Sequence, residues 1–251
     1  MTPDDAKVND AEIQDAPPNN DAPMRDPERR SAVRRLWRAE TAYAVVLAGF
    51  GVLALFAHFD TYFDWDLSIS RGLQSLNVPG LFGFMRFVSF FGNRWIPWAL
   101  TITAVILFFV FGKRSEAAGL TLSAGVGALV NTLVKMLIGR PRPTAELVSV
   151  YRSLRTESFP SGHVSFYVCF FGFLFFVAFA LLPRGSFVRR VALVLTALPV
   201  ALVGLSRIYL GAHWPSDTLG AYLLSGLWLA LSLHLYRRWK QKATFHPEEK
   251  V

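Results

Sequence analysis

Six stretches of this 251-residue chain run for 16 to 20 residues without an Asp, Glu, Lys or Arg: 41–59, 95–112, 117–134, 164–183, 191–206 and 218–236. The hydrocarbon core of a bilayer is about 30 Å thick and takes about 20 residues of helix to cross. A helix also satisfies its own backbone hydrogen bonds where no water can. The sequence therefore predicts an all-α integral membrane protein with six transmembrane helices. The fifth run is short and is expected to extend through 208–212, which obliges Arg207 to face protein or water rather than lipid. A further apolar segment, 79–93, is interrupted by Arg86 and reads as an interfacial or re-entrant helix rather than a seventh span. Gly119, Gly125 and Gly127 in the third run would let neighbouring helices approach closely.

The charges lie mostly outside these runs. Of 44 charged side chains, 16 fall in the first 40 residues and 7 in the last 15. That separation excludes a single water-soluble core. It also disfavours a nucleic-acid partner, because the net charge of +8 sits mainly at the chain ends instead of on one folded face. The single cysteine, Cys169, excludes an intramolecular disulfide framework and a cysteine-based zinc site. Residues 1–24 are rich in Asp, Asn, Pro and Ala with no hydrophobic period, which predicts a disordered segment. The expected organisation is a disordered cytoplasmic tail over 1–40, one membrane domain over 41–236 and a basic cytoplasmic tail over 237–251. An acidic-polar start precedes the first apolar run, unlike a cleavable signal peptide, so the first helix is expected to remain as an anchor.

Lys and Arg divide unevenly between the two sides of such a bundle, 17 with the chain ends and the turns at 113–114 and 184–190, and 9 opposite. Positive charge collects on the cytoplasmic side. Both termini are accordingly expected there, with 60–94, 135–163 and 207–217 at the outer face of a membrane, a bacterial inner membrane in this reading.

The outer-side basic residues cluster. Lys135, Arg140, Arg142, Arg152 and Arg155 fall in one loop and its helix end, which calls for something anionic. Lys135 and Arg142 are seven apart, about two helical turns, while Pro141 and Pro143 stiffen the chain around Arg142. Taken alone, Lys135 could be snorkelling and Arg142 an interfacial anchor. A second element, Pro160-Ser161-Gly162-His163, stands where the fourth helix begins. There Ser161 can cap the helix, Gly162 permits close approach of backbone, and free amides favour an anion. The third is Ser206-Arg207 followed by His213 and Asp217. The last two are four apart, so the carboxylate can reach one imidazole nitrogen and leave the other as nucleophile or base. Asp217 could also act simply by placing negative charge at the helix head.

Taken in order, Lys135-x6-Arg142-Pro143, Pro160-Ser161-Gly162-His163 and Ser206-Arg207-x5-His213-x3-Asp217 resemble the three-part signature of the type 2 phosphatidic acid phosphatases. That superfamily includes lipid phosphate phosphatases, undecaprenyl pyrophosphate phosphatases, soluble acid phosphatases and vanadium haloperoxidases. The resemblance spans roughly 41–236, and all eleven signature positions match. It implies that His213 attacks phosphorus to form a phosphohistidine, with Asp217 orienting it and His163 protonating the leaving oxygen. Lys135, Arg142, Arg207, Ser161 and the Gly162 amide would bind the phosphate oxygens, with Ser206, Pro143 and Pro160 in support. No metal or other cofactor is implied, since three cationic side chains supply the counter-charge. The expected partners are the bilayer and a phospholipid or polyprenyl phosphate. A phosphotransferase using the same intermediate and a non-enzymatic transporter are the rival readings. Haloperoxidase activity is disfavoured by six spans.

Overall fold

The computed structural model describes residues 26–245, all of whose regular structure is helical. The disorder expected over 1–24 and the tail histidine His246 lie outside the described residues. Helix α1 (Asp26–Phe59) includes the candidate span Glu40–Phe59. Residues 26–40, assigned to the tail from their charge, are thus helical; Arg, Glu, Leu and Ala are strong helix formers despite that charge. The chain separates into compact units at 1–43 and 44–251, and the functional residues all belong to the second.

In that unit α2 (Asp64–Gln74) is short and polar. Helix α3 (Leu81–Ser89) continues as a 3₁₀ turn and meets α4 (Ile96–Val110) at a 55° bend. Helix α5 (Arg114–Leu120), a π-helical turn (Thr121–Val126) and α6 (Gly127–Ile138) form one 25-residue span. Helices α7 (Gly162–Leu181), α8 (Phe187–Tyr209) and α9 (Pro215–Phe245) complete the set. Five helices are long and apolar enough to cross a bilayer, or six if the bent α3–α4 pair makes one span. The segment expected to be interfacial or re-entrant is the first arm of this bent pair, a broken span or a re-entrant loop. Helix α9 runs to Phe245, so 237–245 extend the last helix where a tail was expected.

Helix α7 is the axis of the bundle. Its Tyr167 and Phe173 are fully buried, and it packs against α8, α9 and the α5–α6 span. One cluster joins Phe170 and Phe173 to Leu120 and Tyr236, and a second joins Val164 and Val168 to Val203 and Ala221. Small residues allow this closeness. A methyl group on Gly119 would sit 2.7 Å from Phe173, and one on Gly127 3.0 Å from Trp228. Gly125 does not share the role, because a methyl there would meet only Thr121 of its own helix. Helices α8 and α9 are locked where the Tyr222 hydroxyl donates to the Val200 carbonyl (2.6 Å) and accepts from the Gly204 N–H (3.2 Å). The outward surface is apolar, with Phe109, Leu137 and Leu195 all exposed, as lipid-facing helices require. A large group of buried polar side chains collects at one end of the bundle, where α6 and α8 finish and α7 and α9 begin, while Glu116, Tyr236 and Lys240 pair towards the other.

Candidate active site

Four helix ends converge on one polar centre. Helix α6 stops at Gly139, whose φ of +66° gives the left-handed turn that a glycine adopts without steric cost. The loop 140–161 then folds back, tied by Ser158 N–H to the Arg140 carbonyl (2.7 Å), Ser161 N–H to the Asp217 carbonyl (3.1 Å) and Tyr151 N–H to the Leu210 carbonyl (3.1 Å). Gly211 makes the crossing possible, since a Cβ there would lie 2.0 Å from the Ser149 carbonyl oxygen.

His213 is 2% exposed. Its Nδ1 lies 3.4 Å from Asp217 Oδ2, the approach the four-residue spacing predicts. Its Nε2 lies 3.0 Å from Arg142 Nη1. A guanidinium nitrogen can only donate, so Nε2 carries a lone pair and the proton sits on Nδ1, towards Asp217. Burial, then the charges of Arg142, Lys135 and Arg207, hold His213 well below the ordinary imidazole range, which agrees with a neutral ring. Three expected cations thus surround the expected nucleophile. The Arg142 side chain is itself fixed: Nε donates to the Thr156 carbonyl (2.7 Å), Nη2 to Thr156 Oγ1 (3.0 Å) and Nη1 also to the Ala212 carbonyl (2.6 Å). Burial lowers the Arg142 pKa from its ordinary value, opposed by the negative charges of Asp217 and Glu157. Lys135 Nζ donates to the carbonyls of Glu157 (2.8 Å) and Ser158 (3.3 Å).

Ser161 occupies the N-cap position of α7 but does not cap it. Its hydroxyl is fully buried and finds no partner among the described residues, as does Nε of buried Arg207. Two unspent donors in a polar centre are what an anion would satisfy. Pro160, in a cis peptide bond after Phe159, and Pro143 are both buried beside these groups. Gly162 begins α7, and space remains around its backbone, the nearest atom to a Cβ being Asn131 Oδ1 at 3.6 Å. Arg207 faces protein, as the membrane argument requires: Nη1 donates to Ser89 Oγ (2.5 Å), while Ser206 Oγ donates to the Met85 carbonyl (2.6 Å). Both bonds staple α8 to α3. His163 Nε2 contacts Asn93 Oδ1 (3.1 Å) at the α3–α4 bend. Gly92 leaves room for that ring, since a Cβ would lie 2.3 Å from His163 Cδ2.

Several residues here were given no individual role by sequence reasoning. Arg140, nearly fully buried, donates to Asp217 Oδ1 (2.8 Å), Asp66 Oδ2 (3.0 Å) and Ser216 Oγ (2.6 Å). Asp66 on α2 also accepts from the Ser216 N–H (2.8 Å) and Ser216 Oγ (2.6 Å). Ser158 Oγ donates to Asp217 Oδ2 and stands 3.5 Å from His213 Nδ1. Arg140 lay in the basic cluster and was visible; Asp66, 74 residues upstream on a short polar helix, offered no sequence signal.

The chain's residues 116–241 match the model of the PAP2 superfamily. Phosphatidylglycerophosphatase B of Bacillus subtilis is 27% identical over 70% of this chain and 85% of its own length. Decaprenylphosphoryl-5-phosphoribose phosphatase of Mycobacterium tuberculosis is 33% identical over 61% of this chain and 80% of its own length. The crystal structure of a transmembrane PAP2-type phosphatidylglycerolphosphate phosphatase from Bacillus subtilis superposes with a TM-score of 0.67 at 25% identity, covering 78% of this chain and 96% of that one. The chain belongs to the PAP2 superfamily, as a membrane protein of the phosphatase type.

Two expectations follow from the geometry. Arg140→Ala would strand the buried carboxylates Asp66 and Asp217, at a cost of about 3–5 kcal/mol. Its melting temperature in detergent should fall far more than that of Arg155→Ala, on the exposed loop. Second, nitrogen-15 NMR of histidine-labelled protein should show the His213 imidazole still neutral at about pH 6.5, where free histidine is half protonated. A midpoint at or above neutrality would contradict the burial and cationic surroundings.

Proposed function

We propose that this chain hydrolyses the terminal phosphate of a membrane lipid through a phosphohistidine at His213, at the outer face of the membrane. The observation that carries this reading is the geometry around His213: Asp217 stands 3.4 Å from its Nδ1, Arg142 3.0 Å from its Nε2, and the unspent hydroxyl of buried Ser161 belongs to the same polar centre. An arriving phosphate takes up the Arg142 and Arg207 donors and the Ser161 hydroxyl, joined by Lys135 and the Gly162 amide at the head of α7. Once Arg142 turns to the phosphate, the lone pair on His213 Nε2 is released for attack. The Nε2–P bond forms, the bond from phosphorus to the leaving oxygen breaks, and His163 gives that oxygen its proton. The negative charge of Asp217 balances the positive charge that develops on the His213 imidazolium. Water, deprotonated by His163, then attacks phosphorus and returns His213 with inorganic phosphate released. The counter-charge comes from side chains, so no step calls on a metal, and a tetrahedral oxyanion such as vanadate should inhibit.

A lipid substrate is supported by the site's position at the end of an apolar bundle and by relatives named for lipid phosphates. The 17 to 9 division of basic residues supports the orientation, with the segments 1–40 and 237–251 on the cytoplasmic side and the site facing outward, as in a bacterial inner membrane.

The two histidines should separate in a labelling experiment. With phosphorus-32 substrate and rapid quenching, wild type should show an acid-labile phosphoenzyme and release inorganic phosphate. His213→Ala should show neither. His163→Ala should lose much less rate on an aryl phosphate, whose leaving group needs little protonation, than on an alkyl phosphate lipid. Phosphoenzyme persisting in His213→Ala would overturn the assignment, and label passing to a lipid or sugar hydroxyl would make the enzyme a transferase. Orientation is tested separately, by reporter fusions at Gly185 and Thr144, which should report opposite sides of the membrane. Both on one side would refute the outward-facing site.

A further inference from the structure

Beside the catalytic centre opens a cavity of about 480 Å³ whose walls carry four arginines, Arg86, Arg94, Arg152 and Arg207, together with His163, and no Asp or Glu. Only Arg207 belongs to the phosphate-binding set. The other three come from separate elements: Arg86 from α3, Arg94 from the bend before α4, and Arg152 from the loop 140–161. Arg86 is held in place. The Arg86 guanidinium lies 5.0 Å from the Tyr151 ring centre and 5.8 Å from that of Phe82. Arg94 has a φ of +50°, unique among the described non-glycine residues and sparsely populated for a side chain of its size. Like charges facing one cavity repel, and an anion between them relieves that repulsion.

His163 relates the cavity to the reaction. It lines the wall and serves the leaving oxygen, so whatever is bonded to that oxygen extends into the cavity. A neutral leaving group such as diacylglycerol would leave three guanidiniums without a counter-ion.

We propose that Arg86, Arg94 and Arg152 form a second anion subsite, selecting lipids whose leaving group carries a phosphate charge of its own. The shared chemistry is a phosphate oxygen anion one group removed from the reacting phosphorus. It has two sources, the inner phosphate of a lipid diphosphate or the phosphodiester of a phosphatidylglycerophosphate. In the diphosphate case the departing group is itself a phosphate, whose anion the arginines stabilise. The proposal rests on the assignment of His163 to the leaving-group side.

The test uses full-length protein in detergent and the combined variant Arg86→Gln/Arg94→Gln/Arg152→Gln. Two ratios of kcat/KM are read: farnesyl diphosphate over farnesyl monophosphate, and phosphatidylglycerophosphate over phosphatidate. Wild type should favour the first member of at least one pair by about tenfold or more, the equivalent of one charge-assisted contact. That ratio should collapse towards one in the variant, and the pair that collapses names the source. Ratios near one in wild type, or unchanged in the variant, overturn the subsite. A binding arm needs no turnover: thermal shifts of His213→Ala should show inorganic pyrophosphate binding about tenfold tighter than inorganic phosphate. Adding the three glutamines should abolish that difference, and adding Arg152→Gln alone should reduce it if the triple variant does not fold. Pyrophosphate binding no tighter than phosphate overturns the subsite. Absence of hydrolysis by the wild-type protein, with the pyrophosphate preference intact in His213→Ala, would instead count against the His213 mechanism.

Discussion

An ionised carboxylate at the head of a helix in an apolar bundle is the demand that organises this molecule. Asp217 is fully buried, and burying an unpaired charge is among the most costly things a fold can do. Arg140 meets that charge at 2.8 Å, but a single buried arginine between one carboxylate and the hydrocarbon would still have unspent donors. Asp66 takes up a second nitrogen at 3.0 Å and the Asp60 carbonyl accepts from Nε at 3.1 Å. The network therefore draws α2, the loop after α6 and the head of α9 to one point. The second oxygen of Asp217 is engaged as well, by the Ser158 hydroxyl and by the Trp214 N–H at 2.8 Å. With its carboxylate so constrained, His213 has one orientation available, and its free nitrogen faces the cations.

The same economy explains why α3 and α4 are broken rather than one straight span. Ser206 and Arg207 at the end of α8 need polar partners within a membrane-sized bundle, and α3 supplies the Met85 carbonyl and Ser89 hydroxyl. Bending at Asn93–Arg94 then brings Asn93 to His163. The short arm is a structural wall of the site, which accounts for the position of Arg86 on an otherwise apolar helix.

Helices were legible in the sequence because hydrocarbon imposes a length and a composition on them: four of the six uncharged runs lie wholly within helical segments, and the other two overrun theirs only at 95, 111–112 and 182–183. Eleven signature residues were legible because phosphate chemistry repeats in spacing. What spacing could not convey was how each residue is held. Ser161 reads as a helix cap, yet its hydroxyl is left unspent among the described residues. Asp66 and Ser158 have no local pattern, since their partners lie 74 and 59 residues away. Helical structure over 26–40 and 237–245 was not legible for a different reason: charge density there signalled solvent, but Arg, Lys, Glu and Leu are equally good helix formers in water.

The resting centre carries a tension that the reaction can use. Arg142 donates to the lone pair of the very nitrogen expected to attack phosphorus. Without substrate this contact stabilises neutral His213 and withholds its nucleophilicity. A phosphate oxygen, being charged, is a better acceptor for a guanidinium than a neutral imidazole is, so substrate binding itself shifts the donor. In the proposed mechanism, activation of the nucleophile is thereby coupled to arrival of the group it attacks. The two carbonyls and the hydroxyl that hold Arg142 limit its movement to a small turn, because Thr156 and Ala212 keep the guanidinium plane close to the site in either state. That coupling requires a fork with several fixed donors, which a lysine ammonium at the same position does not provide.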